Sequence, residues 1–229
     1  EGTLDDAKAK LANANINLSS GTLLDTRGVA MTGRVGNVSG SGLVKNFSPT
    51  AAGTLVTGSA GTDATFDGTL AADYTTGTLN VTKVGGGSWT LTADNSANIL
   101  GTLQISAGTV TLSGSTAKVG FVTTILSAGG TLTLDNRTNV VNNRLGGTTS
   151  VQSTTSDRVI SMRGGVLNFF GGSTNVTEAL GTGSTALTLL EGASKWNLTA
   201  GTAATSITLG TVVTQSGTNR GTLTLNAGT

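Results

Sequence analysis

The sequence predicts an all-β protein that folds as a parallel β-helix, or β-solenoid, of short strands. Three observations support this prediction: one short phrase recurs along the chain, polar and apolar residues alternate around it, and aromatic residues make up only 3% of the 229 residues. Apolar residues make up 36% of the chain, and most of them are Leu, Val, Ile or Ala. Such side chains suit the narrow interior of a β-helix, whereas a β-sandwich or closed barrel favours larger cores and hairpin turns.

The recurring phrase is Gly-Thr-Leu, with Gly-Thr-Val as its variant. It begins at Gly2, Gly21, Gly53, Gly68, Gly77, Gly101, Gly130 and Gly221, and the variant begins at Gly108 and Gly210. Recurrence over the whole chain indicates a repeat architecture, in which a unit buries its apolar face by stacking on its neighbours. The gaps predict roughly ten coils of about 20 residues with variable loops. At about 4.8 Å per rung, the result is a rod near 50 Å long.

Strands are predicted where apolar and polar residues alternate with period two. These segments are 90–92, 102–105, 109–112, 131–134, 166–169, 206–209 and 222–225. Leu103, between Thr102 and Gln104, is expected to point inward. Clusters of Gly, Asn, Asp and Ser at 93–98, 135–139 and 171–175 predict turns.

One helix is predicted, at residues 4–14 (LDDAKAKLANA), because Ala, Lys and Leu favour helix and two Asp residues suit its first turn. The same stretch could equally be an irregular lead-in. Two parts are distinguished, an N-terminal β-rich segment (1–80) and a region of β-helix repeats (81–229). We expect them to form one continuous solenoid.

A family resemblance rests on residues 81–114, VTKVGGGSWTLTADNSANILGTLQISAGTVTLSG. This stretch resembles the autotransporter-associated β-strand repeat, whose pattern runs through an apolar-Thr-Lys step, a Gly-rich turn, Thr-Leu-Thr-Leu, an Asn-containing turn and Gly-Thr phrases. Residues 130–147 and 164–198 are similar to looser repeats of long bacterial surface proteins. The resemblance implies a right-handed β-helical passenger on a bacterial surface, exported by an outer-membrane barrel.

Charge and composition exclude several functions. Thirteen Lys and Arg residues against twelve Asp and Glu give a formal charge of +1, which is no footprint for nucleic acid. The chain has no His and no Cys, so it cannot hold a Ser-His-Asp triad, a thiol nucleophile or a Cys/His zinc site. It also has no apolar run long enough to span a bilayer as a helix. We predict no cofactor and no metal.

Some β-helices are polysaccharide lyases or glycoside hydrolases, and hydrolysis needs a close pair of acids. Carboxylates are therefore the candidate catalytic groups. The candidates are Asp5 with Asp6, the trio Asp63, Asp67 and Asp73 near Phe66 and Tyr74, and the turn residues Asp94, Asp135 and Asp157. Asx-turns explain the last three. The trio is predicted to lie in a solvated loop, and Asp63 with Asp67 lacks the periodicity of a calcium-binding β-roll.

Other candidate sites also have structural interpretations. Arg137, Arg144, Arg158 and Arg220 could form a stripe facing carbohydrate or phosphate, but surface pairs with turn carboxylates are the more common arrangement. Trp89 and Trp196 could stack on a sugar if exposed, but they are expected to plug the core. The Thr-x-Thr pairs at 90/92, 109/111, 131/133 and 222/224 suggest ice binding, and their irregular spacing argues against it. The glycines of 31–42 and 84–89 are predicted to form turns rather than a phosphate loop.

No catalytic, cofactor-binding or metal site is therefore predicted. The expected function is that of a structural extracellular or cell-surface segment: a stalk, a fibre or an adhesin-like passenger. End-to-end self-association is expected. The alternative is a carbohydrate-binding or carbohydrate-cleaving β-helix, such as a tailspike or polysaccharide lyase. Its expected partners are further copies or neighbouring solenoid segments, and a surface glycan is the other partner considered.

Overall fold

The computed structural model describes residues 13–27, 35–73, 76–146, 158–211, 214–215 and 221–228. These residues contain strands and loops and no helix, so the predicted all-β class is confirmed. The predicted helix at 4–14 falls almost wholly outside the described residues. None of the described residues forms a helix that could cross a membrane.

The described residues form twenty-one strands. They are β1 (Ile16–Leu18), β2 (Leu23–Asp25), β3 (Val38–Gly40), β4 (Leu43–Asn46), β5 (Gly53–Thr57), β6 (Ala64–Phe66), β7 (Thr69–Ala72), β8 (Leu79–Lys83), β9 (Ser88–Leu91), β10 (Asp94–Ile105), β11 (Gly108–Leu112), β12 (Lys118–Ser127), β13 (Gly130–Asp135), β14 (Val159–Arg163), β15 (Val166–Phe170), β16 (Val176–Thr185), β17 (Leu187–Leu189), β18 (Ala193–Thr199), β19 (Thr205–Thr211), β20 (Thr214–Gln215) and β21 (Thr222–Gly228).

All pairings between these strands are parallel, and each long sheet takes one strand from each successive circuit of the chain. The nine-stranded sheet has the order β1-β3-β6-β9-β11-β13-β15-β18-β21, and the seven-stranded sheet has the order β20-β17-β14-β12-β10-β8-β5. Each strand of the nine-stranded sheet defines one rung. The result is a stack compatible with a β-solenoid, with nine rungs where the sequence predicted roughly ten coils.

A third side of the stack is less regular. It begins as the three-stranded sheet β2-β4-β7 and ends as the two-stranded sheet β16-β19. Between them lie the first residues of β10 and β12, where Asp94 pairs with Lys118. On this side side chains replace some main-chain partners: Asn95 accepts from Leu70 N, and Glu178 accepts from Arg144 N and Leu145 N.

Alternation along each strand places apolar side chains in vertical columns inside the stack. One column of the nine-stranded sheet contains Ala64, Trp89, Val110, Leu132, Leu167, Trp196 and Leu225. Its neighbour contains Phe66, Leu91, Leu112, Leu134, Phe169, Leu198 and Ala227. Across the interior, Leu103 is fully buried, as its position between two polar residues predicted. Stacking of like side chains therefore builds the core that no single rung could bury alone.

The length of a circuit changes along the stack. Val110 lies 21 residues after its partner Trp89, and Leu132 lies 22 residues after Val110. Leu167 then follows Leu132 by 35 residues, and Trp196 follows Leu167 by 29. The predicted coil of about 20 residues is thus correct for the central rungs and too short for the C-terminal ones.

All seven predicted strand segments lie within or overlap strands, and 171–175 is a loop as predicted. The turn predicted at 93–98 is wrong in part, because residues 94–98 belong to β10. Asn95 is responsible: its buried side chain accepts a hydrogen bond from Leu70 N at 2.8 Å, so the polar residue joins two rungs and does not end the strand.

Candidate functional site

Two members of the candidate carboxylate trio are each bound to a different partner. Asp63 accepts a hydrogen bond from Ser88 N at 2.8 Å, and Asp73 forms an ion pair with Lys45 at 2.6 Å. Asp67 is exposed on its own turn. Phe66 is buried and stacks on Trp89, with ring centroids 6.1 Å apart. Tyr74 lies outside the described residues, as do Asp5, Asp6 and Asp157.

The two described turn carboxylates behave as Asx-turns. Asp94 Oδ1 accepts hydrogen bonds from Ser96 N at 2.9 Å and from Ser96 Oγ at 2.6 Å. Asp135 Oδ1 accepts one from Arg137 N at 3.1 Å. No group of three or more Asp, Glu, His or Cys residues suited to a metal occurs in the described parts of the chain.

Arg137 forms the predicted surface pair. Its guanidinium donates two hydrogen bonds to Asp135, at 2.9 and 2.8 Å, and lies 4.5 Å from the ring centroid of Phe170. Hydrogen bonding to Arg137 is the main reason that the pKa of the Asp135 carboxyl is lowered. The pair borders a shallow cavity of about 250 Å³ beside Gly171, Gly172 and Thr202.

The surface interpretation is wrong for Arg144 and Arg158, because both are buried. A stripe of stacked arginines therefore does not form, and Arg220 lies outside the described residues. Burial lowers the pKa of Arg144 to about 10 and also lowers the pKa of Arg158. Arg144 follows an Asn and Arg158 follows an Asp, just as the exposed Arg137 follows an Asn. The neighbouring residues therefore could not distinguish a buried arginine from an exposed one.

Arg144 is the centre of a buried polar network. Its Nε donates to Asn136 Oδ1 at 2.9 Å and its Nη1 donates to Ala117 O at 3.0 Å. Its Nη2 donates to three carbonyl oxygens, those of Gly114, Asp135 and Asn139, at 2.8–3.1 Å. One guanidinium therefore satisfies the carbonyl groups of two successive circuits, which suits its fixed fork of five donors.

Glu178 completes this network from the next circuit. Its carboxylate accepts hydrogen bonds from Arg144 N at 2.8 Å and from Leu145 N at 3.0 Å. Burial raises the pKa of the Glu178 carboxyl to about 7, although both hydrogen bonds and the charge of Arg144 act to lower it. The sequence held a signal, since Val176, Glu178 and Leu180 alternate and share the inward side of β16.

Lys83 is a second inward charge with the same kind of sequence signal, because Leu79 and Val81 precede it at alternate positions. Its stem is buried, and its Nζ donates to Val84 O at 2.7 Å and to Gly85 O at 2.9 Å. Burial lowers the pKa of this ammonium group. Gly85 has a φ of 69°, and a Cβ there would collide with Gly58 O, so the turn that Lys83 binds requires glycine.

Both Trp residues plug the core, which rules out sugar stacking on an exposed indole. Trp89 is 1% exposed and its Nε1 donates to Val38 O at 2.8 Å. Trp196 is 3% exposed and belongs to the same inward column, four rungs further on. Each indole occupies the position that Val or Leu occupies on other rungs of the same column.

The outer face of the nine-stranded sheet carries a continuous polar column. Its members are Thr65, Thr90, Thr111, Thr133, Asn168, Asn197 and Asn226. Asn226 Nδ2 donates to Asn197 Oδ1 at 2.7 Å, and Asn197 Nδ2 donates to Asn168 Oδ1 at 2.8 Å. The column forms an amide ladder at its C-terminal end.

Two of the four Thr pairs, 109/111 and 131/133, stack in register on neighbouring rungs. Thr109 pairs with Thr131 and Thr111 with Thr133, because the intervening loops absorb the difference in length. The hydroxyl array is nevertheless short: Ser88 precedes it and Val166 follows it in the Thr109 column. Thr133 is only 8% exposed. The 90/92 pair is displaced by two residues, since Thr90 lies beside Thr111, and the 222/224 pair lies beside Ala193 and Lys195. Matched pairs therefore cover two neighbouring rungs, and the irregular spacing argues correctly against an extended array.

The C-terminal edge of the stack presents apolar side chains to solvent. Leu225 is 67% exposed and Leu209 is 37% exposed. A cavity of about 330 Å³ opens there, lined by Leu187, Trp196, Leu198, Ile207, Leu209, Leu223, Leu225, Asn226 and Ala227. This exposed apolar surface lies at the strand edge of β21.

Comparison with known proteins adds no family: no family model, no curated protein and no solved structure matches the chain significantly.

Proposed function

We propose that this chain is a structural segment of an extracellular or cell-surface protein, built as a right-handed parallel β-helix that acts as a spacer or fibre. The observation that carries this proposal is the unbroken parallel register of the nine-stranded sheet from β1 to β21. Nine rungs spaced by about 4.8 Å extend over roughly 40 Å, which gives the stack the shape of a short rod. The resemblance of residues 81–114 to the autotransporter-associated repeat supports the surface location.

The described residues also favour a structural role over catalysis. Their candidate acids are separated into an ion pair and turn hydrogen bonds, and the inward charges of Lys83, Arg144 and Glu178 bind main-chain groups. Hydrolysis of a glycan by the usual mechanism requires two carboxyl groups about 5–10 Å apart across a cleft. Three of the candidate polar groups, Asp63, Asp73 and Arg144, bind groups on neighbouring rungs.

End-to-end association is part of this proposal, with a second copy as the partner. The outer polar column ends at Asn226 and begins at Asn17, since Asn17 pairs with Ser39 and the pairing of Gly40 with Phe66 places Ser39 beside Thr65. The flanking residues also correspond: β1 reads Ile-Asn-Leu, and β21 contains Leu-Asn-Ala at 225–227. Stacking β1 of one copy on β21 of another would continue both the amide ladder and the apolar columns.

The test places two lysines at this edge. We expect the wild-type chain to form particles longer than one monomer by light scattering and electron microscopy. L223K/L225K should remain folded and monomeric, because two ammonium groups cannot be buried between apolar columns. The matched control is T222K/T224K, which adds the same charge to the outer face of the same strand.

If L223K/L225K is folded and assembles to the same extent as the wild type, β21 is not part of the interface. A wild-type chain that stays monomeric would refute end-to-end association, and particles that are not elongated would refute the rod.

The alternative function is carbohydrate binding or cleavage on the same scaffold. The cavity beside Arg137 favours it most, because a guanidinium held by Asp135 and Phe170 borders open glycine turns. Release of new sugar ends from a polysaccharide panel would favour this alternative over a purely structural role.

A further inference from the structure

Two turns of the stack repeat one local arrangement, an aspartate followed two residues later by an arginine. In the first turn, Arg27 N donates to Asp25 Oδ1 at 2.8 Å, and Arg27 Nη2 lies 2.9 Å from Asp25 Oδ2. In the second turn, Asp135 and Arg137 form the same main-chain and side-chain bonds. Each guanidinium also lies over a phenylalanine ring, at 5.8 Å and 4.5 Å from its centroid. The two turns therefore differ in their surroundings rather than in their own chemistry.

The second turn borders the shallow cavity of about 250 Å³ that Arg137 lines, and the first turn does not. Two glycine turns, which follow β15 and β18 on the next two rungs, supply most of the lining. A Cβ at Gly201 would lie 2.1 Å from Gly172 O, so these turns pack too closely for side chains and present their main chain. Ser173 and Thr202, both exposed, add hydroxyl groups to the lining.

The Arg137 guanidinium has one edge occupied and one edge open. Its Nε and Nη2 donate to the two oxygens of Asp135, at 2.9 and 2.8 Å. Its Nη1 forms no hydrogen bond with a described residue, and 63% of the side chain is exposed. The open edge can hold a second carboxylate through two parallel hydrogen bonds. Asp135 and the ring of Phe170 already hold the guanidinium in place, so binding requires little further ordering of this side chain.

The local charges favour an anion with a single charge. Asp135 interacts with both Arg137 and the buried Arg144, so it cancels the charge of Arg137 only in part. Glu178 interacts with Arg144 from the interior and does not line the cavity. None of the described residues that line the cavity is acidic. A partly cancelled guanidinium suits a carboxylate better than a doubly charged phosphate ester.

We propose that this cavity binds a sugar that carries a carboxylate group, such as one uronic acid residue of an acidic polysaccharide. The carboxylate takes the open edge of Arg137, and the sugar hydroxyls pair with Ser173, Thr202 and the main chain of the glycine turns. Ligand pockets usually have volumes of ~300–1,000 Å³, so a cavity of about 250 Å³ suits one sugar ring rather than a longer chain. The lining shares no residue with that of the C-terminal cavity, so this binding does not depend on end-to-end association.

Calorimetric titration with a trimer of galacturonic acid tests the site. The methyl ester of the same trimer keeps the rings and hydroxyl groups, and we expect it to bind at least roughly tenfold more weakly because its charge is gone. Arg137→Met should weaken binding of the acid by a similar factor. Arg137→Lys keeps the positive charge without the planar fork and should also bind weakly. Arg27→Met is the matched control and should bind as the wild type does.

Equal affinity of the wild type and folded Arg137→Met would overturn the proposal. Equal binding of the acid and the ester would do so too, as would the absence of saturable binding of the acid at millimolar concentration. An equal loss in Arg27→Met would assign the effect to overall charge rather than to the cavity. Acetate that competes as strongly as free galacturonate would show that no sugar is recognised. Circular dichroism checks the fold of each variant, and if Arg137→Met does not fold, Arg137→Lys decides.

Discussion

The central rungs (residues 88–135) and the C-terminal rungs (residues 158–228) share one inward column but fill their interiors differently. Val110, Leu112, Leu132 and Leu134 of the central rungs are all fully buried. In the C-terminal rungs Leu198 and Leu223 are only partly buried. The central circuits have 21 and 22 residues, whereas those reaching Leu167 and Trp196 have 35 and 29.

The difference shows what a longer circuit requires. In a short circuit nearly all residues lie in strands and tight turns. Main-chain ladders then satisfy the backbone groups, and columns of Leu or Val fill the core. A longer circuit inserts loop residues at a corner, and its free main-chain groups must find other partners because they are buried. Arg144 and Glu178 meet that need, so inward charges here accompany irregular backbone.

The largest expected effect comes from removing the guanidinium that joins the two regions. Arg144→Met should lower the free energy of unfolding by about 3–5 kcal/mol, because buried carbonyl groups and the nearby Glu178 carboxylate lose their compensation. Urea unfolding followed by circular dichroism measures this loss. Arg137→Met is the matched control and should cost less than about 1 kcal/mol, since the Arg137 side chain is exposed.

Similar losses in the two arginine variants would contradict the distinction between a buried network and a surface pair. A loss in Arg144→Met that is confined to the hydrogen exchange of the main-chain amides of residues 136–146, with global unfolding unchanged, would mean that this segment is not part of the cooperative core.

The core comparison is sharpened by truncating one leucine in each region. Leu103→Ala should cost about 2–5 kcal/mol, because it leaves a cavity in a closely packed central rung. Leu223→Ala should cost clearly less, since Leu223 is only partly buried at the C-terminal edge. Thermal unfolding of both variants provides the measurement.

Thr111→Ala, on the outer face of the central rungs, is the control for facing and should cost little. A loss equal to that of Leu103→Ala would mean that the assignment of inner and outer faces is wrong.

The smallest expected effect concerns the outer amide ladder of the C-terminal rungs. Asn197→Ala removes its hydrogen bonds to Asn168 and Asn226, and we expect a cost of roughly 0.5–1.5 kcal/mol. Thr111→Ala occupies the equivalent position in the central rungs, where a hydroxyl contact of 3.4 Å to Ser88 is lost instead. A cost for Asn197→Ala no greater than that for Thr111→Ala would show that the ladder adds nothing beyond the main chain.

Local pattern was sufficient to place many strands and their facing. Leu103, Trp89 and the Asp135–Arg137 pair were assigned correctly because alternation and Asx-turn chemistry act over two or three residues. Lys83 and Glu178 also occupy alternate positions with buried apolar residues, so the pattern indicated that their side chains point inward. Their charge, however, suggested an exposed position. Arg144 carried no such signal, since its partners lie in three separate stretches of the chain, 114–119, 135–139 and at Glu178.

The sequence by itself determined that the chain is all-β, which residues alternate inward, and that a short repeated phrase recurs along it. These properties follow from side-chain type and near-neighbour spacing, which act locally along the strand. Only the tertiary structure decided the register that brings Thr109 beside Thr131 and Asn168 beside Asn197, and the burial of Arg144 and Glu178. The physical reason is that a parallel rung pairs residues 21–35 positions apart, so loop length and the need to satisfy buried main-chain groups settle those contacts.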